Sequence, residues 1–303
     1  MHRKRKPGVA GAPKLLQLIH FWPLVVLFSA ALVLPVGAQT GPQGTPKGPL
    51  HRQVWLVPSQ NQQLSMRTIL FRPDGPGPFP LAIINHGSVE SAELRAGFTQ
   101  PSYDNAVQWF VRHGYVVALP LRPGHGETGG PYFETNGPCD RADFRKAGLA
   151  TADSIQAAMI FLTGQSFVKK SGIVVVGHSA GGWGALALAS RNLRQVSAVI
   201  AFAAGRGGRV NGRPNSYCAP MQLIDAARSF GMSARTPVLS LYAENDTVIG
   251  PDLARNISMT YRNAGGAMDY RALPAFGREG HALFEQGVDV WGPIVAEFLN
   301  KRR

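Results

Sequence analysis

From Leu81 onward the chain alternates short, nearly continuous apolar runs with longer stretches of mixed polarity. The runs are Leu81–Ile84, Tyr115–Leu119, Ile173–Val176, Val196–Phe202 and Val238–Tyr242. Runs this short and this uniformly apolar suit strands buried on both faces, as in a parallel sheet. Between and after them lie helical patterns at Tyr103–His113, Arg141–Leu162, Gly181–Ala189, Pro220–Phe230, Pro251–Ala264 and Val288–Asn300. In the second of these Ile155, Met159 and Leu162 recur at i, i+4 and i+7, which gives the helix one face to pack on a sheet. Upstream, Gln53–Val57 and Met66–Phe71 flank the polar stretch Ser59-Gln60-Asn61-Gln62 and read as an antiparallel hairpin at a sheet edge. Repeated strand–helix–strand order implies right-handed crossovers. The expected fold is α/β, a doubly wound, mostly parallel sheet with helices on both faces, built as one domain over 51–303.

The two ends and the charge modify this picture little. Arg3-Lys4-Arg5-Lys6, the apolar stretch Leu24–Leu34 and the small residues Val36-Gly37-Ala38 have the order of a signal peptide cut after Ala38. The alternative is an uncleaved membrane anchor, although so short an apolar run is poorly matched to a bilayer. Residues 39–50, rich in Gly, Pro and Thr, read as a flexible leader. The net charge is +13; loss of 1–38 removes five basic residues and no acid, leaving 26 basic against 18 acidic residues, or +8. These charges are scattered and not interleaved with aromatic residues, so a basic solvated surface is favoured over nucleic-acid binding. The expected location is secreted or periplasmic, without stable membrane insertion after cleavage.

The chemistry concentrates where Ile173-Val174-Val175-Val176 runs into Gly177-His178-Ser179-Ala180-Gly181-Gly182 and then into Ala185-Leu186-Ala187-Leu188-Ala189. A strand that becomes a helix within three residues strains its central residue and crowds its neighbours, so the flanks must be very small. Ser179 at that centre is the candidate nucleophile, with the helix dipole behind it favouring negative charge. Serine needs a base, and the base needs an orienting acid; after such an elbow the order is acid, then histidine. His281 is the one histidine after Ser179. Asp246, just past the strand ending at Tyr242, is the favoured acid, with Glu244 the alternative. For the oxyanion hole, Ala180 supplies one backbone N–H and the turn Asn85-His86-Gly87-Ser88 the other, from Ser88, while His86 braces the turn.

Three segments together resemble the α/β-hydrolase superfamily, and within it the dienelactone-hydrolase-like serine esterases. They are Gly177 to Gly182, Tyr242-Ala243-Glu244-Asn245-Asp246 and Gly280-His281-Ala282-Leu283-Phe284, and the likeness extends over roughly Leu81 to Leu299. Pro123-Gly124-His125-Gly126 matches a Gly-rich loop of the same group. Dienelactone hydrolases proper carry cysteine as nucleophile, whereas this chain has Ser179. The resemblance therefore implies hydrolysis of a small-molecule carboxylic ester through an acyl-enzyme, without dienelactone as the implied substrate, and with no cofactor or metal. A serine peptidase of the same fold and a non-catalytic binding protein are the rival readings.

Tyr132, Phe133 and Trp183 are candidates for an apolar substrate pocket, or alternatively for packing. Asn245-Asp246-Thr247 is an N-glycosylation sequon beside the candidate acid and is expected to stay unmodified. Cys139 and Cys218, the only cysteines, fall in loops leaving the same sheet edge; in an oxidising compartment they are expected to be bridged.

Overall fold

The computed structural model describes residues 38–302, together with His2, Gly8 and Gly11. The expected signal peptide thus lies outside the described residues, apart from Ala38 and those three. The chain divides into two units, Met1–Val36 and Gly37–Arg303, and every element below belongs to the second.

In chain order the elements are β1 (Gly41–Lys47), β2 (Arg52–Pro58), β3 (Ser65–Phe71), β4 (Leu81–Asn85), α1 (Ala92–Ala96), α2 (Asp104–Arg112), β5 (Val116–Pro120) and α3 (Phe144–Thr163). Then come β6 (Ile173–His178), α4 (Ala180–Ala189), β7 (Val196–Phe202), α5 (Pro220–Ser233), β8 (Val238–Ala243), α6 (Pro251–Asn263), β9 (Met268–Leu273), α7 (Leu283–Gln286) and α8 (Val288–Asn300). Local chemistry sets several boundaries. Asp143 caps α3 by accepting the Lys146 N–H at 2.8 Å, and Gly164 follows its last turn. Prolines open α5 and α6, where a missing N–H leaves no bond unmade.

The nine strands form one sheet in the order β1-β2-β3-β5-β4-β6-β7-β8-β9. Pairing is antiparallel from β1 through β5 and parallel among β4 to β9. The apolar runs read as strands are β4 to β8, and each parallel strand from β4 to β8 is buried along nearly its whole length. Val175 and Val199 face a core shared with α3, α4, α5 and α6. Val174, Val176 and Ile200 face a second core with α2, α7 and α8. Helices therefore cover both faces, as the uniform apolarity of these strands requires. Among the described residues no helix is long and apolar enough to cross a membrane.

One expectation is corrected. Residues 39–50 are not a flexible leader, because 41–47 form β1, paired antiparallel with β2. The hairpin β2–β3 accordingly lies one strand in from the sheet edge. With no large apolar side chain in Gly41–Lys47, β1 is held through its backbone, and Gln53 Nε2 adds a hydrogen bond to Gly44 O at 2.6 Å.

Register positions the site. Asn85 of β4 pairs with Gly177 of β6, and Gly177 and His178 pair with Ala201 and Phe202 of β7. The loops that follow these strands, and β8 beside them, leave from a common edge.

Candidate active site

Ser179 joins β6 to α4 at φ 55° and ψ −121°, a left-handed conformation rare outside glycine. Strain of this kind costs of order 1–3 kcal/mol and persists only where surrounding bonds over-determine it. Here Ser179 N donates to Phe202 O at 2.9 Å, and Ser179 O accepts from Trp183 N at 2.9 Å and Gly205 N at 3.3 Å. The flanking glycines answer to space. A Cβ on Gly177 would lie 2.3 Å from Gly181 O, and one on Gly181 would lie 2.2 Å from Asn85 O.

The structure brings Asp246 and His281 together. His281 Nδ1 donates to Asp246 Oδ2 at 2.9 Å, and Asp246 is 1% exposed. The other carboxylate oxygen accepts the N–H groups of Val248 and Ile249, each at 2.8 Å, which fixes its orientation. Glu244, the alternative acid, is exposed. His178, just before Ser179, donates Nε2–H to His281 O at 2.9 Å, with the two rings 4.6 Å apart. Burial, and secondarily the neighbouring His281, pushes His178 down to about 3, so it acts as a neutral donor. Ser179 is thereby set beside the histidine loop through its own neighbour, while no hydrogen bond joins its hydroxyl to His281. Unliganded sites commonly hold this contact long and close it on substrate.

The β4 turn lies against the elbow. A Cβ on Gly87 would stand 3.3 Å from Ser179 Cβ and 3.7 Å from its Oγ. His86 braces this turn as expected: its Nε2 accepts the Arg122 N–H at 3.1 Å, so Nδ1 donates to Gly87 O at 2.5 Å. Burial, then the Arg122 charge, holds His86 well below its ordinary value. Ala180 is the first residue of α4, and its N–H has no partner within the helix. Ser88 Oγ contacts His125 Nε2 at 2.8 Å and Tyr132 Oη at 3.2 Å, and Tyr132 Oη accepts from Arg206 Nη1 at 3.1 Å. Below this chain Glu134 accepts from Arg122 Nε and from Arg206 Nη2, both at 2.5 Å. Burial alone would raise the Glu134 carboxyl, but the two arginines outweigh it and bring it down to about 2.

Ser88, Ser179 and Ala180 line a cavity of about 500 Å³. Its walls are the segments 136–139 and 205–211, with Val248 and Ile249. Cys139 and Cys218 are disulfide-bonded, as expected, and both form part of the wall. The bond closes a separation of 79 residues, which stabilises by roughly 4–5 kcal/mol in the chain-entropy model. Of the two readings open for Tyr132, Phe133 and Trp183, pocket lining fails, because none of the three lines this cavity. Trp183 is fully buried, donates Nε1–H to Phe144 O at 2.8 Å and packs on Phe230. Phe133 is half-buried and does not line the cavity. Tyr132 works through its hydroxyl behind the wall, its ring under the Arg95 guanidinium.

Sequence reasoning missed Glu279, Thr247 and the Arg122–Glu134–Arg206 cluster. Glu279 carried one faint signal, its place two residues before His281. The buried cluster carried none, since its members stand 12 and 72 residues apart. Asn245, the sequon residue, spends its side-chain amide on Phe276 O and Gly277 O, at 3.1 and 3.2 Å.

Residues 83–299 match the model of the alpha/beta hydrolase family. No curated protein matches the sequence. Among solved structures, the esterase Pf2001 of Pyrococcus furiosus superposes with a TM-score of 0.60 at 13% identity, over 87% of this chain and 99% of that one. An acetyl xylan esterase from Paenibacillus sp. R4 gives 0.59 at 15% identity, over 88% of each chain. An acylaminoacyl peptidase from Pyrococcus horikoshii gives 0.58 at 13% identity, over 84% of this chain and 42% of that one. Identities this low speak for the shared fold, whereas the family match spans most of the sequence and includes the elbow, the acid loop and the histidine loop. The chain belongs to the α/β-hydrolase family.

Proposed function

We propose that this hydrolase cleaves small-molecule carboxylic esters through an acyl-enzyme on Ser179, with His281 as base and Asp246 as its orienting acid. The observation that carries the reading is the 2.9 Å hydrogen bond from His281 Nδ1 to the buried Asp246, beside a serine held in the strained elbow. With its proton on Nδ1, His281 has Nε2 free to take the Ser179 proton as Oγ attacks the ester carbonyl. The oxyanion that forms meets the N–H groups of Ala180 and Ser88. As the tetrahedral intermediate collapses, His281 returns the proton to the departing alkoxide. Water then repeats the sequence on the acyl-enzyme, with His281 again the base, and releases the acid. We also assign the chain to an exported location on the strength of the signal-peptide pattern of residues 1–38; a disulfide in the cavity wall fits an oxidising compartment.

The test is a panel of p-nitrophenyl esters of rising acyl length set against aminoacyl p-nitroanilides. Ester turnover is expected, falling on the order of 10⁴-fold or more in Ser179→Ala and about 10³–10⁴-fold in Asp246→Asn. Turnover of the anilides alone would overturn the ester assignment in favour of a peptidase.

A further inference from the structure

His281 is gripped through its backbone from two sides. Its carbonyl accepts from His178, and its N–H donates to Glu279 Oε1 at 3.2 Å. The same Oε1 accepts the Thr247 N–H at 2.9 Å, and Thr247 directly follows Asp246. Oε2 accepts the Thr247 hydroxyl at 2.6 Å and pairs with the Arg209 guanidinium from the cavity wall. One carboxylate therefore holds backbone amides next to both ends of the Asp246–His281 hydrogen bond. We infer that Glu279 is a positioning residue, whose carboxylate sets His281 against Asp246 and Ser179; this rests on the triad proposed above.

Several observations support that role over a purely structural one. Burial would raise the Glu279 carboxyl, yet the hydrogen bonds from Thr247 and from His281, with the Arg209 charge, hold it below its ordinary value. The ionised form is therefore favoured, and a charged acceptor binds N–H donors more strongly than a neutral one. The two loops it joins have an independent tie. Gly280 N donates to Asn245 O at 3.2 Å, and the Asn245 side chain bonds to Phe276 N at 2.8 Å and to Phe276 O. Removing the Glu279 carboxylate thus leaves the loops attached and opens no buried void, since the side chain is 29% exposed. What is lost is the fine placement of the imidazole, and a misplacement of about 1 Å is worth about 10²-fold in rate.

The experiment compares the wild type with Glu279→Ala and Glu279→Gln by two readouts. The first is kcat and KM on a p-nitrophenyl ester. The second, independent of turnover, is the downfield ¹H NMR signal of the Nδ1 proton shared by His281 and Asp246, assigned by its loss in His281→Ala. Glu279→Ala is expected to lower kcat about 10²-fold, with little change in KM, and to shift or broaden away the proton signal. Glu279→Gln keeps a carbonyl oxygen for the two N–H donors, and is expected to restore the signal and most of the rate. Wild-type kcat with an unmoved proton in Glu279→Ala overturns the inference. So does a fall in kcat with the proton unmoved, because the effect then bypasses His281. Should the wild type turn over no ester while Glu279→Ala still loses the proton, the ester function fails and the positioning role stands.

Discussion

Hydrogen-bond polarity around Ser88 can be deduced from donor inventory alone. An arginine only donates, so Tyr132 Oη accepts from Arg206 and passes its own proton to Ser88 Oγ. His125 Nδ1 faces the carbonyls of Arg122 and Pro123 at 3.2 and 3.3 Å, so it carries the ring proton. Burial, with the Arg122 charge next, brings His125 down to about 4, which keeps the ring neutral. Its Nε2 then accepts the Ser88 hydroxyl proton. The hydroxyl is thus committed as donor to His125, and the group left for the proposed oxyanion contact is the Ser88 N–H. Ser88→Ala keeps that N–H, so its kcat on an ester is expected to stay within about 10-fold of wild type, well short of a lost oxyanion donor. A kcat loss of about 10²–10³-fold would instead place the hydroxyl itself in the oxyanion hole.

At the scale of elements, legibility followed burial. Strands β4 to β8 show as apolar runs because both faces are covered, and α3 shows by its stripe because one face packs on the sheet. Strand β1 has no such signature: Gly41-Pro42-Gln43-Gly44-Thr45-Pro46-Lys47 pairs through its backbone on an open edge, where side chains are under little constraint. The short α1 is likewise set by a cap, Ser91 Oγ accepting the Leu94 N–H, rather than by periodicity. In the candidate site, the elbow at Ser179 and the meeting of Asp246 with His281 were legible because a strained turn and chain order restrict the residue types there. The lining was not. Trp183 lies on α4, one turn past the elbow, and composition cannot say that its ring turns into the core against Phe230. Nor could spacing reveal that Glu279 binds back to Thr247, a contact made only once β8 and β9 lie side by side.

For the whole molecule, the buried polar groups couple the site to folding stability. His125 and His178 are held to about 4 and about 3 in the folded chain, against an ordinary value of 6.5. Below about pH 6.5 the unfolded chain binds protons on these rings while the folded chain does not. Their stabilising effect is therefore complete above that pH, and declines by up to about 1.4 kcal/mol per unit for each ring as pH falls towards 4. Glu134, held to about 2, adds stability that is present above its ordinary 4.5 and is lost as pH falls through the interval to about 2. Calorimetric melting temperatures are expected to fall from about pH 6.5 downward and to steepen below about 4.5. A melting temperature constant from pH 7 to pH 4.5 would show that neither histidine is buried neutral. The chemistry proposed for the site depends on one hydroxyl, that of Ser179, becoming nucleophilic. The most direct measurement is covalent labelling with a p-nitrophenyl alkylphosphonate, followed by peptide mass mapping. Stoichiometric label on Ser179, abolished in Ser179→Ala and strongly slowed in His281→Ala, is the expected result. Label on Ser88 or Ser240, or full-rate labelling without His281, would contradict it.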